Sequence, residues 1–110
     1  MSTDGQIIDL SFRHALIGTW VHPDDSSVEY TVSALGNVCV VSGVDTIDGE
    51  AFVISDVSWD GRELRFTSLM PSTQYELRHV FRVHSEVEVE HEWQRVERWR
   101  KKAPVQPRPA

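Results

Sequence analysis

Turn dipeptides divide this sequence into short runs that are rich in Val, Thr, Phe, Tyr and Trp. Gly36-Asn37, Asp48-Gly49, Asp60-Gly61 and Pro71-Ser72 stand between successive runs. Glycine beside Asn or Asp supplies the positive backbone φ angles that tight hairpins need. Because strands joined by hairpins pair with their neighbours in antiparallel order, the pattern predicts an all-β meander of about seven strands.

The length allows one domain with one core and excludes two. We expect a loose N-terminal tail over 1–6, a single domain over 7–102 and a disordered, proline-rich tail over 103–110. Apolar residues near helical spacing between Ile7 and Leu16 predict one or two helical turns that end at Gly18. No apolar run approaches the roughly 18 residues that a membrane helix needs, so we expect no membrane partner.

Charge and cysteine content narrow the function classes. Residues 1–60 hold ten acids and one base, Arg13, which argues against a nucleic-acid partner because such partners need clustered Lys and Arg. The basic run Arg98–Lys102 is interpreted as a solvated strand end. Cys39 is the only cysteine, and no basic residue precedes the first apolar stretch, as a secretory signal would require. We therefore expect a cytoplasmic protein.

Charge pairs across strands predict the register of the last three strands. In the final hairpin, Val83 is placed opposite Val87, and this sets His79 opposite His91 on the inner face. On the outer face of the same hairpin the register pairs Arg82 with Glu88 and Arg78 with Glu92. The same rule, applied to earlier hairpins, predicts further opposed pairs: Glu63–Arg82, Phe66–His79, Leu64–Phe81, Asp56–Arg65, Ser55–Phe66, Val57–Leu64, Ser42–Ser55 and Thr31–Ser42.

This register predicts an inner layer that is mostly polar. Its members are Thr31, Ser42, Ser55, Phe66, His79 and His91. Buried polar groups are unfavourable unless they are paired, by roughly 1 to 3 kcal/mol each, so the layer requires partners, water or a ligand.

A second apolar face is predicted on the opposite side of the sheet. Either the N-terminal helical segment or a second subunit must cover it, since large exposed apolar patches are uncommon on monomers, and we expect a homodimer. The predicted interface residues are Tyr30, Val32, Val41, Phe52, Ile54 and Leu69.

Gly18-Thr19-Trp20, placed before the meander, resembles the Gly-X-Trp signature of the lipocalin, fatty-acid-binding and avidin superfamily. The resemblance implies a small up-and-down barrel, which this chain would build from about seven or eight strands after a short N-terminal helix. It implies that Trp20 closes one end of the barrel against an arginine, for which Arg95 is the first choice and Arg98 the alternative. The basic trio that binds carboxylates in fatty-acid-binding proteins is not evident in this chain, so the resemblance covers the fold alone.

The pair His79 and His91 is the sharpest candidate for chemistry. Neutral imidazoles offer one donor and one acceptor each, so the pair suits a polar ligand group, a proton shuttle or a satisfied core contact. Zinc normally takes three or four protein ligands, and we expect no metal and no cofactor. Ser42 or Ser55 beside His79 would suit a small enzyme, but no inward carboxylate is available to orient the histidine.

Three functions remain open from the sequence. The first is a non-enzymatic protein that binds a mostly apolar small molecule with a polar group inside the barrel. The second is a structural or interaction protein with a solid barrel that homodimerises, and the third is a small enzyme that uses the histidine pair. The predicted ligand-binding residues are His79, His91, Ser55, Ser42, Thr31, Tyr75, Phe66, Phe81, Trp59 and Trp93.

Overall fold

The computed structural model describes residues 10–103, and the predicted tails fall largely outside this range. One short helix precedes seven strands. Their bounds are α1 Phe12–Ala15, β1 Gly18–His22, β2 Asp25–Leu35, β3 Val38–Asp45, β4 Val53–Trp59, β5 Glu63–Met70, β6 Tyr75–Val83 and β7 Val89–Val96. None of the helical segments within this range has the length and apolarity to cross a membrane.

The strands form two antiparallel sheets in chain order, as the turn pattern predicted. β1, β2 and β3 make the first sheet, and β4, β5, β6 and β7 make the second. Between the sheets, Val44 and Ala51 form a single bridge, and the Phe52 amide donates to the Gly43 carbonyl at 2.9 Å. Within residues 10–103, no ladder joins β1 to β7. The predicted closure into a barrel is therefore not confirmed, and one side between the two sheets is open.

The predicted register of β5 against β6 is confirmed. Phe66 pairs with His79, and Glu63 pairs with Arg82, whose Nε donates to the Glu63 carboxylate at 2.7 Å. The predicted pairing of Thr31 with Ser42 between β2 and β3 is also confirmed.

The predicted register of the last hairpin is wrong by two residues. Val83 pairs with Val89 instead of Val87, because the connection spans 84–88 and the amide of His84 donates to the Glu88 carbonyl at 3.0 Å. His79 therefore pairs with Trp93 and not with His91. A slip of two residues leaves every side chain on its predicted face, since alternation along a strand has a period of two.

The predicted register of β4 with β5 is wrong: Trp59, not Val57, pairs with Leu64, and a β-bulge further along β4 then reverses the parity. The ladder shifts between Ser55 and Ser58, and Asp56 there has a φ of 54°. Ser55 pairs with Thr67 and is exposed, so its predicted pairing with Phe66 is wrong. The extra residue lets side chains on both sides of the bulge face the core, which a regular strand cannot do.

The inner face of the first sheet is the opposite of the one predicted. Tyr30, Val32 and Val41 are buried, whereas Ser42 is exposed and Thr31 is only half-buried. The faces of β2 and β3 were inferred from β4, so the one-residue shift at its bulge reversed every inward and outward assignment on them. No charge pair was available to test the registers of these strands. Thr31 instead lies within hydrogen-bonding distance of Thr19, with 2.9 Å between the two hydroxyls.

The predicted dimer face is therefore largely the core of the chain. Tyr30, Val32 and Val41 belong to it, and Phe52 and Ile54 pack against it. Only Leu69, which pairs with Glu76, stays half-buried on the outer side of its sheet. An uncovered apolar face thus no longer argues for the dimer, which stays a prediction.

The N-terminal helix closes one end of the core. Phe12 and Leu16 are buried, and the Trp20 indole packs against the core and donates from Nε1 to the Leu16 carbonyl at 2.8 Å. Both arginines suggested for Trp20 have other partners. The Arg95 guanidinium lies 3.9 Å from the centre of the Tyr75 ring, and Arg98 pairs with Glu76 at 3.0 Å.

Candidate functional site

Four polar side chains meet in a continuous hydrogen-bonded chain inside the fold. The Ser68 Oγ lies 2.7 Å from the Nε2 of His79, and the Tyr30 hydroxyl lies 3.3 Å from that same nitrogen. On the other side of the ring, the His79 Nδ1 lies 2.9 Å from the Nε2 of His91. The predicted proximity of the two histidines is therefore confirmed, although they are diagonal rather than directly opposed neighbours.

The four hydrogen-bonded side chains come from three adjacent strands of one sheet and from the facing sheet. Ser68 on β5, His79 on β6 and His91 on β7 point to the same side, and Tyr30 reaches them from β2. No buried side-chain nitrogen or oxygen in the described part of the chain lacks a hydrogen-bond partner. The penalty for burying these groups is thus offset by their mutual bonds.

Aromatic rings surround the histidine pair. Phe66 stacks on His79 with 4.5 Å between ring centres, and the Tyr30 ring lies 4.9 Å away at a tilt. The edge of Phe81 meets His91 at 4.9 Å and 89°. These rings exclude water from the His79 imidazole, whereas His91 keeps contact with solvent.

Burial keeps both histidines neutral at pH 7. Burial, with a smaller effect from the like charge of the neighbouring His91, lowers the pKa of His79 to about 3. His91 is more exposed than His79, but partial burial of its ring lowers its pKa, and the charge of His22 adds to this effect. Burial raises the pKa of Tyr30, which therefore remains a hydroxyl. The four hydrogen-bonded side chains are therefore uncharged and offer only neutral donors and acceptors.

An open cleft of about 1110 Å³ leads to these hydrogen-bonded side chains from the side where β1 and β7 do not pair. His79 lies at its floor and His91 nearer its mouth. Its apolar walls come from both sheets and the loops at their ends: Trp20, Val21, Pro23, Val28, Tyr30, Leu77, Phe81, Val87, Val89 and Trp93. The polar lining residues are His22, Asp25, His79, His84, Glu88, Glu90 and His91.

The cleft contains four of the ten predicted ligand-binding residues. These are His79, His91, Phe81 and Trp93. The other six lie elsewhere: Phe66 in the core, Trp59 against Ser11, Tyr75 beneath Arg95, Thr31 beside Thr19, and Ser42 and Ser55 at the surface.

Sequence reasoning missed Tyr30 and Ser68 as members of the polar chain, and His22 and Trp20 as cleft residues. For Tyr30 a signal was available in the sequence. Val28, Tyr30 and Val32 are apolar at alternate positions, which indicates the buried face more strongly than the alternate positions that include Thr31. Ser68 shares the predicted inward parity of Phe66 and could have been placed beside His79 from the correct β5–β6 register.

No protein-family model matches the chain, and neither a curated protein nor a solved structure matches it significantly. The two antiparallel sheets are compatible with a small barrel-like fold and do not single out one superfamily. Across residues 10–103, His, Cys, Asp and Glu side chains form no group of three that would hold a metal ion.

Hydrogen bonds connect Ser68 to His79 and His79 to His91, as they would connect a nucleophile, a base and a residue that orients the base. Two observations argue against that use. Ser68 is 4% exposed and does not line the cleft. His79, with a pKa near 3, has little driving force to take a proton from a hydroxyl at neutral pH. The arrangement is better suited to hydrogen-bonding a bound molecule than to attacking it.

Proposed function

We propose that this protein binds a small molecule in the cleft without transforming it. The ligand has an apolar body and at least one polar group. The observation that carries the proposal is the cleft itself, whose mostly apolar walls end on a neutral histidine pair. Its volume of about 1110 Å³ slightly exceeds that of typical small-molecule sites, which measure about 300 to 1,000 Å³, because the cleft is open on one side.

The lining suggests how such a ligand would lie. Its apolar body would pack between Trp20 on one sheet and Phe81 and Trp93 on the other. Its polar group would reach His91, whose Nε2 is engaged with His79 and whose second ring nitrogen has no hydrogen bond within residues 10–103. We keep the cytoplasm as the proposed location, because a lone cysteine suits a reducing compartment.

Self-association at the same opening is the second candidate. Trp93 is 62% exposed, Val87 is 88% exposed, and both line the cleft. A second copy that covers these side chains would bury the same apolar surface that a ligand would bury.

A cleft-filling variant tests the first proposal against the second. Val21→Trp places a large ring in the cleft wall, and Val53→Trp adds the same ring on β4 at an exposed position away from the cleft. We expect the wild type and Val53→Trp to bind an environment-sensitive apolar dye saturably and Val21→Trp to lose most of that binding.

Sedimentation of the same three proteins completes the test. Monomers that bind the dye, with loss only in Val21→Trp, support the ligand-binding proposal. A tight dimer that takes up no dye and is disrupted by Val21→Trp favours self-association. Equal dye binding in Val21→Trp and the wild type contradicts a site in the cleft.

A further inference from the structure

The fixed charges that line the cleft are all negative. Asp25 comes from the start of β2, and Glu88 and Glu90 come from the end of the last hairpin and from β7. The described lining contains no Lys and no Arg. The four histidines are thus the only lining side chains that could carry a positive charge.

The carboxylates hold their charge in different ways. The hydroxyl and amide of Ser27 lower the pKa of Asp25, which stays ionised. Glu90 borders the cleft, but its carboxylate lies on the outer face of the sheet, 3.2 Å from Arg82 and 3.1 Å from His84, so its charge is compensated there. Glu88 has no ion-pair partner within residues 10–103. Glu88 is therefore the least compensated charge at the cleft.

The nearest basic side chain on the same face of β7 is already engaged. Arg95, two residues after Trp93, lies over the Tyr75 ring and pairs with Glu97 at 3.3 Å. The floor provides no compensating positive charge, because the His79–His91 pair is hydrogen-bonded, packed among aromatic rings and neutral. An anionic ligand group would thus leave water for an environment of like charge, which is unfavourable.

We propose that the cleft selects amphiphiles with a protonated amine over amphiphiles with a carboxylate on the same apolar tail. This inference rests on the proposed function and adds the chemical class of the ligand. An ammonium group near the mouth would be attracted by Glu88 and Asp25, and the faces of Trp20 and Trp93 would favour it further through cation–π contacts. A neutral hydroxyl would bind with intermediate affinity through the histidine pair.

Three ligands that differ only in the head group test the selection. Decylamine, decanol and decanoate are titrated against the dye-loaded wild-type protein at about pH 7.5, where the amine is protonated and the carboxylate is ionised. We expect decylamine to displace the dye at a concentration about tenfold lower than decanoate, with decanol between them. Because the effect is electrostatic at an open cleft, added salt should narrow the gap.

Two matched variants assign the selection to the cleft. Glu88→Gln removes the least compensated lining charge, and Glu86→Gln removes an equal charge from the same loop outside the lining. We expect Glu88→Gln to reduce the preference for decylamine over decanoate about threefold. Glu86→Gln should leave all three affinities unchanged.

The outcomes separate this inference from the proposal beneath it. Decanoate binding as tight as decylamine, or an equal response to Glu88→Gln and Glu86→Gln, overturns the charge selection and leaves the site in place. Decanoate binding that Arg95→Gln abolishes also overturns it, because an anion would then be held at Arg95. Failure of all three ligands to displace the dye overturns the proposed function itself.

Discussion

Acidification should destabilise this protein through His79 before most carboxylates titrate. The imidazole has a pKa of about 3 when folded, against 6.5 for a free histidine, because it is buried beside Phe66 and His91. Above about pH 6.5 the residue is neutral in both states and its full contribution to stability is present. As pH falls below that value, the unfolded chain binds a proton that the folded chain excludes, so stability is lost until the folded group titrates near pH 3.

The size of the effect follows from this window. Each pH unit of differential protonation changes the free energy of unfolding by about 1.4 kcal/mol. Between about pH 6.5 and pH 4.5, the loss due to His79 should therefore reach about 2 to 3 kcal/mol. His79→Gln keeps a side chain that can hydrogen-bond to Ser68 but does not titrate, so its stability should fall less over the same range.

Urea unfolding at a series of pH values measures this difference. Carboxylate titration acts on the wild type and on His79→Gln alike, so the difference between their slopes isolates the histidine. His14→Gln, which removes an exposed histidine on α1, should retain the wild-type slope. Parallel slopes for the wild type and His79→Gln would refute the reasoning. They would mean that His79 can bind a proton, or contact water, in the folded protein as readily as in the unfolded one.

Three further substitutions probe the packing around the site, each by chemical unfolding. Trp20→Ala should lower the free energy of unfolding by about 3 kcal/mol, whereas Trp99→Ala, at an 88% exposed position, should change it by less than about 0.5 kcal/mol. Gly43→Ala should destabilise by about 1 to 3 kcal/mol, since its new methyl carbon would lie 2.8 Å from carbons of two aromatic rings. The exposed neighbour Ser42→Ala should be nearly neutral, and equal effects at the two positions would contradict the described packing. Ser68→Ala should destabilise by about 1 to 2 kcal/mol by removing the shorter hydroxyl contact to the buried imidazole, and no change would indicate that water replaces it.

The part of the fold that the sequence predicted best is the part where charges check the register. The pairing of β5 with β6 is correct because Glu63 opposite Arg82 on the outer face agrees with Phe66 opposite His79 on the inner face. In the last hairpin, alternating glutamates satisfy Arg82 in more than one register. The prediction therefore placed the side chains on the correct face and missed the two-residue offset.

The inverted face of the first sheet has a different cause. A bulge at Asp56 adds one residue to β4, and nothing in the surrounding sequence distinguishes it from regular alternation. Every inward or outward assignment that was inferred across β4 is then reversed, including those of Thr31 and Ser42. The polar site survived the error because His79 and His91 were placed from the other end of the chain, where no bulge intervenes.

The most direct test of the cleft as a binding site is a titration of the isotope-labelled protein with decanol, followed by amide chemical shifts. We predict saturable shifts concentrated on the strands that line the cleft, with Val21, Leu77 and Val89 among the largest, and small shifts on β3. Shifts that do not saturate, or that concentrate on β3 and the outer face of β4, would contradict the account.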